Sequence, residues 1–333
     1  MSDLPIHEIV IIGAGPAGIS VAAEAIAKGY DPEKILLIEK SHEITHMIAA
    51  KYPEEKPVLA NYKGKQVKAE GLLSIGDMSK SSFIQLMNKI ILDSKIEVQF
   101  NRTVNKIVKL KNGQLQVCTD LECYITNSVF IAIGSMSASR KLIANVDVES
   151  RKRIFDDIQN ITPEMKDVLV VGGGDSAAEY AMILKNRNHH VSLSYRGSEF
   201  TRMLDANSKP LQDFISKNEI IYYPKTEVES VVSKGDLLKV SFTNREQKSF
   251  HAIVAALGTD RPINYLASIG IQLCYQGLEI YSESSLPGVF AVGDIASSSG
   301  GTINIAFNSG AKALQEAYDY YLETPNSEQL SSR

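Results

Sequence analysis

The chain has 333 residues but only three cysteines, Cys118, Cys123 and Cys274, and no tryptophan. No C-x-x-C spacing occurs, so a vicinal dithiol relay is excluded. Three cysteines do not build a disulfide framework; all three are expected to be inert thiols packed as small hydrophobes. No apolar run approaches the ~18 residues of a membrane span. Charge of one sign is also lacking: 35 Lys+Arg against 39 Asp+Glu leave −4, which gives no footprint for nucleic acid or an anionic membrane. A glycine motif that begins at Gly13 leaves no room for a cleavable secretory signal, so the expected location is the cytoplasm. What remains is a chain with 44% hydrophobic residues, long enough for about two domains with sizeable cores.

The first organised stretch runs from Ile9 to Glu39. Ile9–Ile12 reads as a fully buried parallel strand, and Gly13, Gly15 and Gly18 follow it. A helical pattern over Ile19–Lys28 leads to a second buried strand, Ile35–Ile38, which ends in Glu39 and then Lys40. This order suits a dinucleotide. Gly13 permits the tight turn, Gly15 lets the backbone approach a pyrophosphate, and Gly18 lets helix and strand pack closely. The helix start near Pro16 and Ala17 offers free amides and a partial positive charge. Glu39, 21 residues after Gly18, is placed to accept hydrogen bonds from a ribose.

A second unit of the same kind begins at the apolar strand Val168–Val171. Gly172 and Gly174 repeat the first two glycine roles, Asp175 and Ser176 open the helix, and Ala177 stands in for the third glycine. The helix is expected over Ser176–Asn186 and the next strand over Val191–Tyr195. Tyr195 occupies the place that Glu39 has in the first unit. With the carboxylate gone and Arg196 and Arg202 just beyond, this unit suits a ribose carrying a 2′-phosphate, that is NADPH.

Between and after the units lie short strands. They are expected at Ile96–Phe100, Val104–Leu110, Leu115–Thr119, Cys123–Thr126 and Val129–Ile133, the last ending at Gly134, with a hairpin turn at Asn112-Gly113. Ser79 is placed to cap a helix over Ser82–Leu92. A second meander uses Glu219–Tyr223, Glu229–Val232, Leu237–Phe242 and Ile253–Leu257 and closes at Gly258; Val146–Pro163 reads as connection and surface. GVFAVGD supplies a last buried strand with Gly293 and Asp294 at its exit, and a final helix is expected from Ala311 to about Leu322. The expected fold class is α/β, with two Rossmann-like (three-layer ββα) dinucleotide-binding domains, one inserted in the other. The first comprises residues 1–137 plus 252–325, the second 138–251, and 326–333 is a polar tail.

GAGPAG at Gly13–Gly18, AIG at Ala132–Gly134, GGGDSAAE at Gly172–Glu179, YRGSEFTR at Tyr195–Arg202, ALGTDRP at Ala256–Pro262 and GVFAVGD at Gly288–Asp294 together resemble the thioredoxin-reductase-like flavoproteins. The likeness covers nearly the whole chain. It implies FAD on the first unit and NADPH on the second. It also implies that Asp294 holds the ribityl chain and that the last helix points its start, about Ser309, Gly310 and Ala311, at the flavin. The redox dithiol of thioredoxin reductases is missing from SRKRIFDDIQNITPEMKD, and Ala17 stands where bacillithiol-disulfide-reductase-like members carry a cysteine. The chain therefore most resembles the cysteine-free branch, the thioredoxin-reductase-like ferredoxin/flavodoxin–NADP reductases. In KYPEEK at Lys51–Lys56, Tyr52 stands where that branch has a flavin-stacking tyrosine, although His46-Met47-Ile48 replace its Gly-Gly-Gln.

The activity so implied is NADPH oxidation through FAD, with electrons passed to a small acidic carrier, flavodoxin or ferredoxin, or to a quinone, in a homodimer. Two alternatives stay open: a disulfide reductase using flavin alone, and a non-enzymatic FAD- and NADPH-binding sensor. Lys63, Lys65 and Lys68 form a short basic run suited to steering an acidic partner. A metal is not expected. His42-Glu43-Ile44-Thr45-His46 matches H-E-x-x-H, yet it precedes an irregular loop rather than lying on the long helix which that motif requires.

Overall fold

The computed structural model describes residues 4–60, 67–134, 139–201, 203–259, 262–276, 279–296 and 301–323. Arg202, Lys63, Lys65, the expected junction at Ala138 and the tail 326–333 lie outside them.

The fully apolar runs become the centres of two parallel sheets, because a strand covered on both faces cannot alternate polar and apolar residues. In the first sheet, Ile6–Ile12 lies between Ile35–Ile38 and Cys123–Ile131, and Val289–Ala291 adds to the far side of the latter, all parallel. Successive side chains leave a strand on opposite faces, which separates two cores. Ile9 and Ile11 pack beneath the helices Pro16–Ala27, Lys80–Ser94 and Ile303–Glu323. Val10 and Ile12 pack instead on the meander residues Val104, Ile107, Leu115, Val117 and Tyr124. Helices, parallel sheet and antiparallel meander form the expected three layers.

The second sheet repeats the plan. Asp167–Val171 lies between His190–Tyr195 and Ala252–Ala255, again parallel. Val168 and Val170 face the helix Asp175–Asn186, while Leu169 and Val171 face the meander residues Val231, Leu238, Val240 and Phe242. Each large aliphatic side chain buried this way contributes roughly 1.5–3 kcal/mol.

Several expectations are displaced. Ala252–Ala255 pairs with Asp167–Val171, so the second unit ends after Ala255 rather than at His251. Cys123–Ile131 is one continuous strand, whose first half closes the meander and whose second half joins the parallel sheet. The segment 146–163 is more than connection. Asn145–Val146 and Ile154–Phe155 add edge strands, and Ile158 and Ile161 are buried in the core. The helix Asp205–Ser216 was not anticipated, since Pro210 inside it breaks the sequence pattern. The last helix begins at Ile303, about two turns before the expected start. Ser79 does cap Lys80–Ser94, accepting a hydrogen bond from the Ser82 amide.

The expectation of three free thiols also fails. Cys118 and Cys123 face each other directly across the antiparallel pair Leu115–Thr119/Cys123–Ile131, with Cα atoms 4.0 Å apart, and form a disulfide. Register brings the two sulfurs together, and a spacing of five residues does not reveal register.

Candidate active site

Both parallel sheets end at a single cavity of about 590 Å³, within the range that holds small-molecule ligands. It is lined by Gly13, Gly15, Pro16, Ala17, Glu39, Lys40, Gly134, Gly293 and Asp294 from the first unit. Ser176, Tyr180 and Gly258 line it from beyond the second sheet, and Tyr52 lies between them. The carboxyl ends of parallel strands and the amino ends of the following helices converge here, the usual ligand crevice of α/β folds.

The first glycine turn is built for a close ligand. Gly13 has φ +105° and its amide donates to Ile38 O at 2.8 Å. A Cβ on Gly18 would stand 2.1 Å from Gly13 O, so only hydrogen fits between helix and turn. Gly15 differs: nothing lies within 4 Å of where its Cβ would be, and it caps the helix whose first residue is Pro16. That opening at a helix start is the cradle that a pyrophosphate requires. Glu39 is buried at 9% exposure; it accepts from the Ala14 amide at 2.8 Å and from the Ser41 amide at 2.8 Å. With a third bond from Ser41 Oγ to Oε1 at 2.6 Å, these fix the carboxylate at the cavity wall and leave an acceptor site on Oε2 for a ligand's hydroxyl. Burial raises the Asp294 carboxyl above its ordinary range.

Ser309, Gly310 and Ala311 do not form a helix start and do not line the cavity. They lie inside Ile303–Glu323, where it crosses Pro16–Ala27. A Cβ on Gly310 would come within 2.7 Å of Ala17 O, and Ser309 Oγ accepts from the Gly293 amide at 2.9 Å. Their work is to set the acid-bearing turn against the glycine turn. Gly301, Thr302 and Ile303 are the residues of this helix start that face the cavity. Farther along, Lys28 Nζ sits 4.7 Å from the Tyr318 ring centre, so that ring packs on the first helix.

In the second unit, a Cβ on Gly172 would meet Ala256 O at 2.3 Å, and Ala177 is fully buried where the third glycine would stand. Asp175 turns away from any ligand: its Oδ1 accepts from the Leu204 amide at 2.7 Å and Asn207 Nδ2 at 2.9 Å. Gly174 caps the helix and has open space at its Cβ position. The Tyr195 ring lies over Gly173 and Gly197 and stacks on Phe200, centroids 5.7 Å apart. Arg196 is exposed just beyond it.

The sequence did not point to the contacts that join the Tyr52 loop to the second unit. Lys56 Nζ stands 4.1 Å from the Tyr52 ring centre and 2.8 Å from Glu179 Oε2, with both charged side chains only 11% exposed. Burial alone would lower the Lys56 ammonium, but Tyr52 and Glu179 outweigh it and hold its pKa above the ordinary lysine value. Burial raises the Tyr52 hydroxyl above its ordinary range. Lys51 reaches Asp157 at 3.0 Å, and Glu55 takes Arg187 in a two-pronged bond at 2.9 and 2.8 Å. Arg102 and Tyr265 also line the cavity; Tyr265 donates to Val104 O at 2.8 Å and burial pushes its pKa up to about 12.

Arg187 holds the Glu55 carboxyl below the usual range. A depressed carboxylate contributes stability above its unfolded pKa and loses it as pH falls through the folded value. Glu55→Gln should therefore flatten the acid limb of a stability-versus-pH curve slightly, by well under ~1 kcal/mol because the pair is partly exposed. Thermal melts between neutral and acid pH measure this.

The profile of the pyridine nucleotide-disulphide oxidoreductase family matches residues 7–312. A ferredoxin–NADP reductase of Metallosphaera sedula is 26% identical over 334 residues, covering 94% of this chain and 93% of its own. One from Symbiobacterium thermophilum is 27% identical over 308 residues, covering 87% and 85%. Among solved structures, bacillithiol disulfide reductase from Staphylococcus aureus superposes with TM-score 0.77 at 20% identity, covering 96% of this chain and 100% of that one. Lactococcus lactis thioredoxin reductase gives 0.73 at 23%, covering 96% and 100%. These two likenesses concern the fold. With its two glycine-turn units, shared cavity and near-complete profile match, the chain belongs to the pyridine nucleotide-disulphide oxidoreductase family and is an oxidoreductase.

Proposed function

We propose that this chain is an NADPH oxidoreductase with FAD and NADPH as its cofactors, delivering electrons from the flavin to ferredoxin, flavodoxin or a quinone without a redox dithiol. One observation carries the reading: the cavity lined by Gly13 and Gly15 of the first glycine turn is also lined by Ser176 and Tyr180 from the helix after the second turn, although Gly172 and Gly174 themselves lie outside it, and among its described lining residues none is cysteine. The names of the full-length relatives support the ferredoxin arm.

The residues present fit FAD on the first unit. Gly15 and the helix start at Pro16–Ala17 hold the pyrophosphate, and Glu39 accepts hydrogen bonds from the ribose. Asp294 accepts from the ribityl hydroxyls, and Tyr52, braced by Lys56, covers the flavin ring. When bound, FAD supplies a hydride acceptor that can release electrons singly or in pairs. The second unit holds NADPH at Gly172, Gly174 and Ser176, with Arg196 and Arg202 taking the 2′-phosphate. No acid or base is required for hydride transfer, so the protein's contribution is placement and electrostatic tuning. A homodimer in the cytoplasm completes this reading.

The test is to purify the protein, confirm bound flavin, and follow its bleaching by NADPH and NADH in stopped flow. Reduction by NADPH with turnover on flavodoxin, ferredoxin or quinone supports the proposal. Flavin that NADPH leaves oxidised points to a sensor, and turnover on low-molecular-weight disulfides alone points to a disulfide reductase. Replacing Lys63, Lys65 and Lys68 by alanine should lower the carrier on-rate several-fold at low salt; an unchanged rate removes the steering role.

A further inference from the structure

We propose that His42, Glu43 and His46 form a binding site for a divalent transition-metal ion of the zinc class, with two imidazole nitrogens and one carboxylate oxygen as ligands. The potential ligand atoms of all three residues lie within 4.8 Å of one another. Glu43 Oε1 is 3.1 Å from His46 Nδ1 and 3.7 Å from His42 Nε2. A tetrahedral ion bound at the usual zinc–nitrogen and zinc–oxygen lengths sets neighbouring ligand atoms about 3.3 Å apart. The two observed separations bracket that value.

The backbone explains how three adjacent side chains converge. On a helix, Glu43 would be turned about 100° from His42 and could not join the two histidines. Here Thr45 adopts the left-handed conformation, φ 51° and ψ 25°, and reverses the chain before the short helix His46–Lys51. The reversal brings the two imidazoles edge to face, centroids 5.5 Å apart and planes at 68°. A hydrogen bond between Glu43 and His46 accounts for their own contact, but not for His42 approaching the same carboxylate oxygen. The side chains of His42 and Glu43 are 71% and 40% exposed, so an ion reaches them from solvent and keeps a fourth position for water.

The site adjoins the cavity. His46 lines it, and the Thr45 amide donates to Ala14 O at 2.9 Å beside the first glycine turn. A bound ion would tie down the loop flanking that turn and slow release of the nucleotide held there. This consequence rests on the proposed function; metal binding itself does not.

The experiment titrates the purified full chain, with its bound cofactor, with Zn²⁺ by calorimetry and with Co²⁺ by visible absorption. One equivalent of metal is expected, with a tetrahedral cobalt spectrum. His42→Ala, Glu43→Gln and His46→Ala should each weaken binding ~10-fold or more, and the double variant His42→Ala/His46→Ala should abolish it. Circular dichroism verifies folding, and the exposed His42 makes its variant the cleanest. No saturable binding, or undiminished affinity in the double variant, overturns the site. Flavin content is recorded on the same samples: a yellow protein that binds no metal sinks only this proposal, and a colourless protein that binds metal at these residues sinks only the flavin reading.

Discussion

Changing Lys56 to methionine is expected to destabilise the protein by about 3 kcal/mol, the lower end for removing one partner of a buried ion pair. Glu179 would remain 11% exposed with its 2.8 Å partner gone. The Tyr52 ring would also lose the ammonium 4.1 Å from its centre, a further ~0.5–2 kcal/mol interaction. The double variant Lys56→Met/Glu179→Met should recover much of the loss, since two apolar side chains strand no charge. Urea denaturation of the single and double variants measures this. Equal losses in the single and double variants would contradict the account. The same pair joins the Tyr52 loop to the helix Asp175–Asn186, so Lys56→Met should also slow flavin reduction by NADPH, even where folded protein is selected.

The second large effect is at the first glycine turn. Gly13→Val places a side chain where φ is +105° and Ala132 O lies 2.5 Å from the new Cβ. Left-handed strain costs about 1–3 kcal/mol, and overpacking against backbone about 1–3 kcal/mol more. The expected product is poorly folded and colourless. Gly15→Ala separates folding from cofactor: with nothing within 4 Å of the new methyl, stability should change by under about 1 kcal/mol. The methyl nevertheless enters the phosphate cradle, so the purified protein should lose most of its flavin. Absorbance ratios of protein to flavin, alongside thermal melts, decide between these outcomes. A Gly15→Ala protein with full flavin content would remove that glycine from the site.

How much of this was legible beforehand follows the range of the forces involved. Ile9–Ile12, Ile35–Ile38 and Val168–Val171 were readable because uninterrupted apolar runs identify strands covered on both faces. The glycine spacing was readable because backbone sterics are local. Ser309, Gly310 and Ala311 were misplaced because Gly310 reads as a helix breaker. Its lack of a side chain instead serves a helix crossing, visible only once Ala17 O is seen to lie 2.7 Å from its would-be Cβ. The Cys118–Cys123 bond depended on strand register, and Ala252–Ala255 on a sheet partner more than eighty residues earlier. The Lys56–Glu179 pair was equally hidden, since each residue alone is an ordinary surface charge and only the packing of two units buries them.

Under the proposed function, the path of electrons from NADPH through the flavin to an outside acceptor contains no sulfur. The most direct test is NADPH oxidation by the variant carrying Cys118→Ser, Cys123→Ser and Cys274→Ser together, with folding and flavin content verified first. Flavin bleaching and acceptor turnover are expected to persist within about twofold of the parent, an activation difference under ~0.5 kcal/mol. Loss of turnover in a folded, yellow variant would contradict it.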